Sequence, residues 1–285
     1  MIKLAGMVTL YNPTDDDIKN INSYIDDIDV LYVIDNTERN SNKERLPDNK
    51  KIKYIFNNEN IGVASALNYA CELAIKDGYD YLLTNDQDTF FRENVIKKMK
   101  KDIEENDMKK VGIVTPWHNT KLLDEKPKVR FDDPHDVMTS GNILNLKIWK
   151  KIGGFKDWLF IDGIDIEYCM NLHQKGYKIL RDNDLIIDHN LGDIFYKKLP
   201  GRLYLCTNHS AMRRYYIMRN YHYIFDMYKD TNEQEYCYRL ISQRHNIIGV
   251  LLFEKHDKFK KILNYIKGYK DYKKGIKGKM PEKRK

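Results

Sequence analysis

Two acidic clusters carry the chemistry available to this chain. Asp86-Gln87-Asp88 follows a continuous apolar run, 79–84, that reads as a buried strand. On an extended strand residues i and i+2 share a face, so Asp86 and Asp88 could aim two carboxylates at one point. Hard oxygens at that spacing suit Mg²⁺ or Mn²⁺, ions that fill their remaining positions with water and substrate phosphates. The second cluster, Asp162-x-x-Asp165-x-Glu167, opens a helix that runs to about His173 and stops at Gly176. Carboxylates in a first helical turn are favoured in the ionised form, which keeps them available to accept a proton. Each cluster also has a plain reading: a solvated turn for the first, a helix cap with dipole-favouring acids for the second.

The elements that must position these residues alternate along the first half. Apolar runs at 2–10, 30–34, 51–56, 79–84 and 111–116 read as strands, and helical signals cover 18–24, 61–76 and 94–105. Alternating strands and helices predict an α/β fold with a mostly parallel central sheet covered on both faces. Ligands of such sheets gather at the carboxyl ends of the strands, where Thr9, Tyr11, Asp35 and Asp86 fall. Asn58-x-Asn60-x-Gly62 is a turn feeding the 61–76 helix, where it could meet a diphosphate or a base; Asn60 is expected to cap that helix in any case. Ser140-Gly141 would let backbone approach a ligand closely, or form an ordinary strand bulge. Further on, a strand pair is predicted over 177–189, then helices over 210–228 and 233–253. A catalytic portion over 1–205 and a helical portion over 206–285 are the expected domains.

Bulk properties narrow the function classes. With 285 residues and 42% hydrophobic content the chain can bury a substantial core, which excludes a disordered or collagen-like class. The N-terminal apolar run reads as a first strand rather than a signal peptide, and no stretch approaches the roughly 20 apolar residues of a membrane span. Cys71, Cys169, Cys206 and Cys237 are scattered, which predicts reduced thiols in a cytoplasmic protein. The net charge of +7 is uneven: residues 254–285 carry +9, leaving −2 for the rest. No nucleic-acid module accompanies that basicity, so nucleic acid is not an expected partner. Within the tail Phe259, Ile262, Leu263, Ile266 and Tyr269 fall on one helical face among dense lysine. Such a helix reads as binding an anionic membrane surface, or as a docked C-terminal helix with a solubilising end. A homodimer contact on the 233–253 helix is left open.

Seven motifs fall in one order. They are Val8-Thr9-Leu10-Tyr11-Asn12, Val33-Ile34-Asp35-Asn36, Asn58-x-Asn60-x-Gly62 with Asn68, Asp86-Gln87-Asp88, Ser140-Gly141-Asn142, Asp162-x-x-Asp165-x-Glu167 and Arg214-Tyr215-Tyr216-x-x-Arg219-Asn220. From residue 4 to about 228 the series resembles the bacterial rhamnosyltransferase-like branch of family 2 glycosyltransferases. That resemblance implies a Rossmann-like GT-A fold, a nucleotide-sugar donor, a Mg²⁺ or Mn²⁺ ion, and inversion at the anomeric carbon. It implies dTDP-L-rhamnose as donor, with a UDP-sugar (galactose, galactofuranose or glucose) as the alternative. It further implies a polyprenyl-diphosphate-linked glycan as acceptor, at the inner face of the cytoplasmic membrane.

Roles follow from the matched positions. Asp88 matches the direct metal ligand, and Asp86 binds ribose or assists the metal; a metal there would act as a Lewis acid on the departing diphosphate. His189 matches a late histidine that completes the metal or diphosphate site, though a lone histidine also reads as a packed or capping residue. Thr9, Tyr11 and Asp35 match positions that cradle the nucleobase and ribose. Asp165 matches the general base for the acceptor hydroxyl. Asp162 and Glu167 compete with it, Glu167 being expected to orient Asp165 or to contact acceptor hydroxyls. Arg213, Arg214 and Arg219 could meet phosphates or pack onto the core. One departure stands out: the family often has Arg four residues after the second acid, and this chain has Asn171.

Overall fold

The computed structural model describes residues 2–120, 125–188, 192–200, 202–244 and 247–281. The chain divides into two units, Met1–Asp157 with Tyr168–Asn190 and Trp158–Glu167 with Leu191–Lys285.

The first unit is built on an eight-stranded sheet. Its strands are β1 (Leu4–Leu10), β2 (Val30–Asp35), β3 (Ile52–Phe56), β4 (Tyr81–Asp86), β5 (Val111–Asn119), β6 (Phe131–Asp132), β7 (Asn142–Asn145) and β8 (Lys178–Asp188), in the order β3-β2-β1-β4-β7-β5-β8-β6. β7 runs antiparallel to both neighbours and β6 antiparallel to β8; the other pairs are parallel, so the sheet is mostly parallel as expected. Its helices are α1 (Asp15–Asn20), α2 (Val63–Lys76), α3 (Val95–Glu105), α4 (Leu146–Ile152) and most of α5 (Ile164–Gln174). Leu4, Val8 and Leu10 of β1 join Val33, Leu83 and the Val95, Ile96, Met99 and Ile103 stripe of α3 in one core. Ala5 and Met7, on the other face of β1, are also buried. Burial on both faces is why the strand reads as a continuous apolar run rather than an alternating one.

Three element boundaries differ from expectation for local reasons. The first helix starts at Asp15, not near Ile18, because Thr14 and Asp17 form a reciprocal capping box. β4 begins at Tyr81 because the amides of Gly78 and Tyr79 are used closing α2, bonded to Ile75 and Ala74 carbonyls. The strand pair predicted over 177–189 is one long strand, β8, with a register shift against β5. At Asp182-Asn183-Asp184 the strand is irregular: Asn183 N bonds the Arg130 carbonyl and Asp184 N the Asp182 carboxylate.

The second unit holds a hairpin, β9 (Phe195–Leu199) with β10 (Arg202–Cys206), and four helices: α6 (Ala211–Tyr228), α7 (Gln234–Arg244), α8 (Ile247–Phe253) and α9 (Lys258–Lys273). The helix expected over 233–253 is helical over Gln234–Arg244 and Ile247–Phe253, and residues 245–246 lie outside the described residues. α6 is capped by Ser210, whose hydroxyl accepts from Arg213 N. α9 lies against α6 at Gly268, where a Cβ would come within 2.4 Å of the Tyr215 carbonyl oxygen. Of the apolar face predicted for this helix, Ile262 is half-buried and Tyr269 meets His222 of α6, ring centroids 5.1 Å apart. α9 packs through Lys261, Tyr265, Gly268 and Asp271, while Phe259, Leu263, Ile266 and Tyr269 are exposed. Among the described residues no helix is long and apolar enough to cross a membrane. All four cysteines are buried and unbridged.

Candidate active site

In the first unit the parallel register brings the expected donor residues to one sheet edge. Thr9 of β1 pairs with Asp86 of β4, and Leu10 with Asp35 of β2. Partners in register face the same way, so Thr9 and Asp86 share one face and Asp35 takes the other.

Strand alternation does not bring Asp86 and Asp88 together, contrary to expectation. β4 ends at Asp86, and Asp88 sits in a turn closed by Thr89 N donating to Asp86 O at 3.1 Å. Asp88 is exposed and Asp86 half-buried. Gln87 holds the turn. Its Oε1 accepts from Tyr11 N at 2.9 Å, its Nε2 donates to Asp17 Oδ2 at 3.2 Å, and its carbonyl accepts from Asn20 Nδ2 at 3.3 Å. The residue read from sequence as a spacer therefore ties the acidic turn to the end of β1 and to α1. The available signal was its amide, which donates and accepts at once.

Asp35 is wholly buried, and its carboxylate is occupied by its own chain. It accepts from Thr37 N at 2.9 Å, Asn42 N at 3.1 Å, Asn42 Nδ2 at 3.0 Å and Tyr54 OH at 2.6 Å. Burial works against ionisation, but hydrogen bonds from Tyr54, Thr37 and Asn42 outweigh it and hold the group below the usual carboxylate range. Its present work is to fix the loop after β2; direct contact with a nucleotide would require this network to open. Thr37 passes the constraint on, accepting from Asn12 N at 2.9 Å in the loop after β1. Tyr11, beside it, is exposed.

Asn58 is left-handed (φ 55°) and accepts from Arg39 N at 3.2 Å. Asn60 does not cap α2 as expected. Its Oδ1 accepts from Gly62 N at 3.0 Å in a short Asx turn, and Gly62 itself occupies the cap position at φ 86°. Ser140 is buried, its hydroxyl bonded to that of Thr89 below the acidic turn, its carbonyl 2.6 Å from His118 Nε2. Gly141 (φ 80°) bonds Thr84 O at 2.7 Å, and the space a Cβ would take is filled by Ile187 Cδ1. The close approach this glycine allows here is to Ile187.

In the second unit, three left-handed positions lead into α5. Ile161 separates Phe160 (φ 69°) from Asp162 (φ 65°) and Gly163 (φ 82°). Such conformations persist only where surroundings over-determine them, and α6 supplies the determinants. Asn220 Nδ2 lies 2.9, 2.7 and 2.8 Å from the carbonyls of Leu159, Ile161 and Asp162. Arg219, fully buried, donates to the carbonyls of Trp158, Leu159 and Gly278, and its Nε holds Asn220 Oδ1 at 2.9 Å. Arg213 pairs with Asp162. Asp165 lies in the first turn of α5, half-buried, its Oδ1 accepting from Ile166 N at 2.9 Å. Glu167 is completely buried, with Tyr228 OH donating to it at 2.8 Å.

These contacts sort the expected roles. Asp162 is engaged in an ion pair with Arg213. Burial removes acceptor contact from the two roles expected for Glu167. Arg214 and Arg219 are both buried, Arg214 against Glu254, so neither is placed to meet a phosphate. Asn171, where the family often has Arg, donates instead to Ile152 O at 3.1 Å within the first unit; the acids of the second unit are held from α6. Sequence reasoning saw Arg219-Asn220 as a motif but not as the clamp on the loop before Asp165.

Among the described residues no group of three or more His, Cys, Asp or Glu gathers to hold an ion, and His189 lies outside them. Two carboxylates at the end of a parallel strand still fit a Mg²⁺ or Mn²⁺ whose other ligands are diphosphate oxygens and water.

Residues 16–167 match the family model described as Glycosyl transferase family 2. The dTDP-rhamnosyl transferase RfbF of Shigella flexneri is 25% identical over 236 residues, spanning 76% of this chain and 78% of that protein. The fold is similar to that of GalNAc-T7 solved with UDP, GalNAc and Mn²⁺ (TM-score 0.60, 14% identity), across 96% of this chain and 56% of that one. It is also similar to S. aureus TarS 1–349 in complex with UDP-GlcNAc (TM-score 0.54, 13% identity), across 96% and 92% of the two chains. With its parallel sheet shared by these glycosyltransferases and its family match spanning more than half its length, the chain belongs to glycosyl transferase family 2 and has the GT-A fold.

Proposed function

We propose that this glycosyltransferase moves L-rhamnose from dTDP-L-rhamnose, with inversion, onto a polyprenyl-diphosphate-linked glycan during surface polysaccharide synthesis. The observation that carries the donor is the similarity to the S. flexneri dTDP-rhamnosyl transferase over three quarters of both chains. The reaction would take place at the inner face of the cytoplasmic membrane.

In this reading Asp165 accepts the proton of the acceptor hydroxyl, as a carboxylate kept ionised by its place in the first turn of α5. Arg213 and Tyr228 hold the flanking acids Asp162 and Glu167, and Asn220 holds the loop that precedes them. Thr9, Tyr11, Asn58 and Gly62 line the donor side, with Asp35 keeping the loop after β2 in place. Ser140 and Gly141 brace the acidic turn, Ser140 through its bond to Thr89. Asp88, assisted by Asp86, would hold Mg²⁺ or Mn²⁺, which when bound neutralises charge on the departing diphosphate.

The test is a donor panel read by thermal stabilisation and by sugar release. dTDP in the presence of Mn²⁺ should raise the melting temperature, and UDP should not; the opposite preference would replace rhamnose with a UDP-sugar. Asp88→Ala should abolish the metal-dependent part of that shift. Asp165→Asn should cut transfer by about 10²–10⁴-fold while nucleotide binding persists. Loss of nucleotide binding in that variant would assign Asp165 elsewhere.

A further inference from the structure

We propose that the outward faces of α8 and α9 form a docking surface for an anionic lipid bilayer. The proposal rests on the reading of the acceptor as lipid-linked, and it names the surface on which the enzyme would meet that lipid.

α9 is amphipathic inside out. Phe259 is 84% exposed and Leu263 65%, with Ile266 and Tyr269 exposed on the same side. α8 adds Leu251 and Leu252, and Lys258 Nζ bonds the Leu251 carbonyl at 2.9 Å, which keeps the end of α8 beside the start of α9. Scattered apolar side chains on a surface are ordinary. A helix that turns Phe259, Leu263 and Ile266 outward together, with Ile262 half-buried beside them, is not.

Rearrangement within the unit does not relieve this exposure, because the opposite face of α9 is already committed. Lys261 Nζ lies 2.9 Å from Glu254 Oε2, and Glu254 also pairs with Arg214. Asp271 accepts from Tyr215 OH at 3.0 Å and from Lys267 Nζ at 2.6 Å. Turning the helix would strand these buried charges. The apolar face therefore calls for a partner outside the unit.

Charge selects the partner. Lys260 and Lys274 lie along one flank of the face, and Lys270 and Lys273 join them at the C-terminal end, whereas Lys267 is held by Asp271. The acids over 255–281 are Asp257 and Asp271, the latter buried. A second copy of the chain would bring like lysine rows together. A nucleic acid would satisfy the lysines but leave Phe259 and Leu263 in water. An anionic bilayer takes both: apolar side chains below the headgroups, ammonium groups at their level.

The experiment is co-sedimentation of the full chain with phosphatidylcholine vesicles, with and without phosphatidylglycerol. Binding is expected to the anionic vesicles and to weaken with salt. Phe259→Ser with Leu263→Ser should lower partitioning at least about tenfold at unchanged melting temperature. Lys260→Glu with Lys274→Glu should lower it by a similar factor. Equal binding to neutral vesicles, or no loss in either variant, would overturn the proposal. So would a concentration-dependent dimer that the Phe259/Leu263 variant dissociates, which would make the face a homotypic interface. DNA binding lost only in the lysine variant would assign the surface to nucleic acid. Stabilisation by nucleotide, measured on the same samples, separates the two readings. If it persists while vesicle binding fails, docking alone falls; if vesicles bind without nucleotide stabilisation, the proposed donor falls and docking stands.

Discussion

α3 in the first unit and α9 in the second are both lysine-rich helices, and they are amphipathic in opposite senses. α3 buries Val95, Ile96, Met99 and Ile103 and turns its lysines out. α9 buries Lys261 and Asp271 and turns Phe259, Leu263 and Ile266 out. Each helix also buries one carboxylate, and these differ too. Asp102 of α3 shares Arg130 with a second buried acid, Asp182, at 2.8 and 3.0 Å. Asp271 of α9 has Lys267 and Tyr215. The pair teaches that a 3.6-residue hydrophobic period locates a face without saying what covers it. In α3 the cover is the sheet of the same unit; α9 turns Tyr265, Gly268 and its buried charges to α6 and leaves Phe259, Leu263 and Ile266 outward.

The sharpest way to break this contrast is to remove the charge that α9 packs against. Glu254→Ala leaves Arg214 and Lys261 buried without their carboxylate and should cost about 3–5 kcal/mol in chemical denaturation. A loss below about 1 kcal/mol would mean that ion pairs do not hold the helix. On α3 the equivalent cut is apolar. Met99→Ala, at a fully buried position, should cost about 2–5 kcal/mol.

The buried acids give a smaller, pH-dependent effect. Burial, reinforced by Asp182, pushes the Asp102 carboxyl up to about 7. The fold therefore favours protonated Asp102, whereas the unfolded chain ionises from about pH 4. Its contribution to stability is largest at acid pH and is lost as pH rises from about 4 to about 7. Asp102→Asn should flatten that decline in denaturation curves taken at several pH values; a slope that survives would place its origin in another group. The smallest expected effect is Leu263→Ala on α9, within about 0.5 kcal/mol. A loss matching that of Met99→Ala would show that the outward face of α9 is covered in the free protein.

Residues that depend on local patterning were legible in the sequence; those that depend on which neighbour arrives were not. The parallel strands could be read because burial on both faces leaves continuous apolar runs, as in β1 and β2. Asp86-Gln87-Asp88 was legible as a strand end with a turn as its plain reading; the hold of Gln87 on Tyr11, Asp17 and Asn20 was not, because those partners lie 76, 70 and 67 residues earlier. Glu167 read as an accessible acid; its burial depends on Tyr228, 61 residues later. Arg214 and Arg219 could be read as meeting phosphates or as packing onto the core, because nothing nearby in sequence decides between the two. Glu254 and the carbonyls at 158, 159 and 278 decide it from afar.

The clamp of Arg219 and Asn220 on residues 158–162 has a consequence for inheritance. A left-handed loop and the helix side chains that tolerate it lie some 60 residues apart, yet neither is stable without the other. Substitutions at 159–163 and at 213, 219, 220 and 228 should therefore be accepted in combination and rejected singly among diverging relatives. A recombinant that exchanges α6 between two such enzymes without the segment before Asp165 would inherit a mismatched pair, and the cassette to transplant is both segments together.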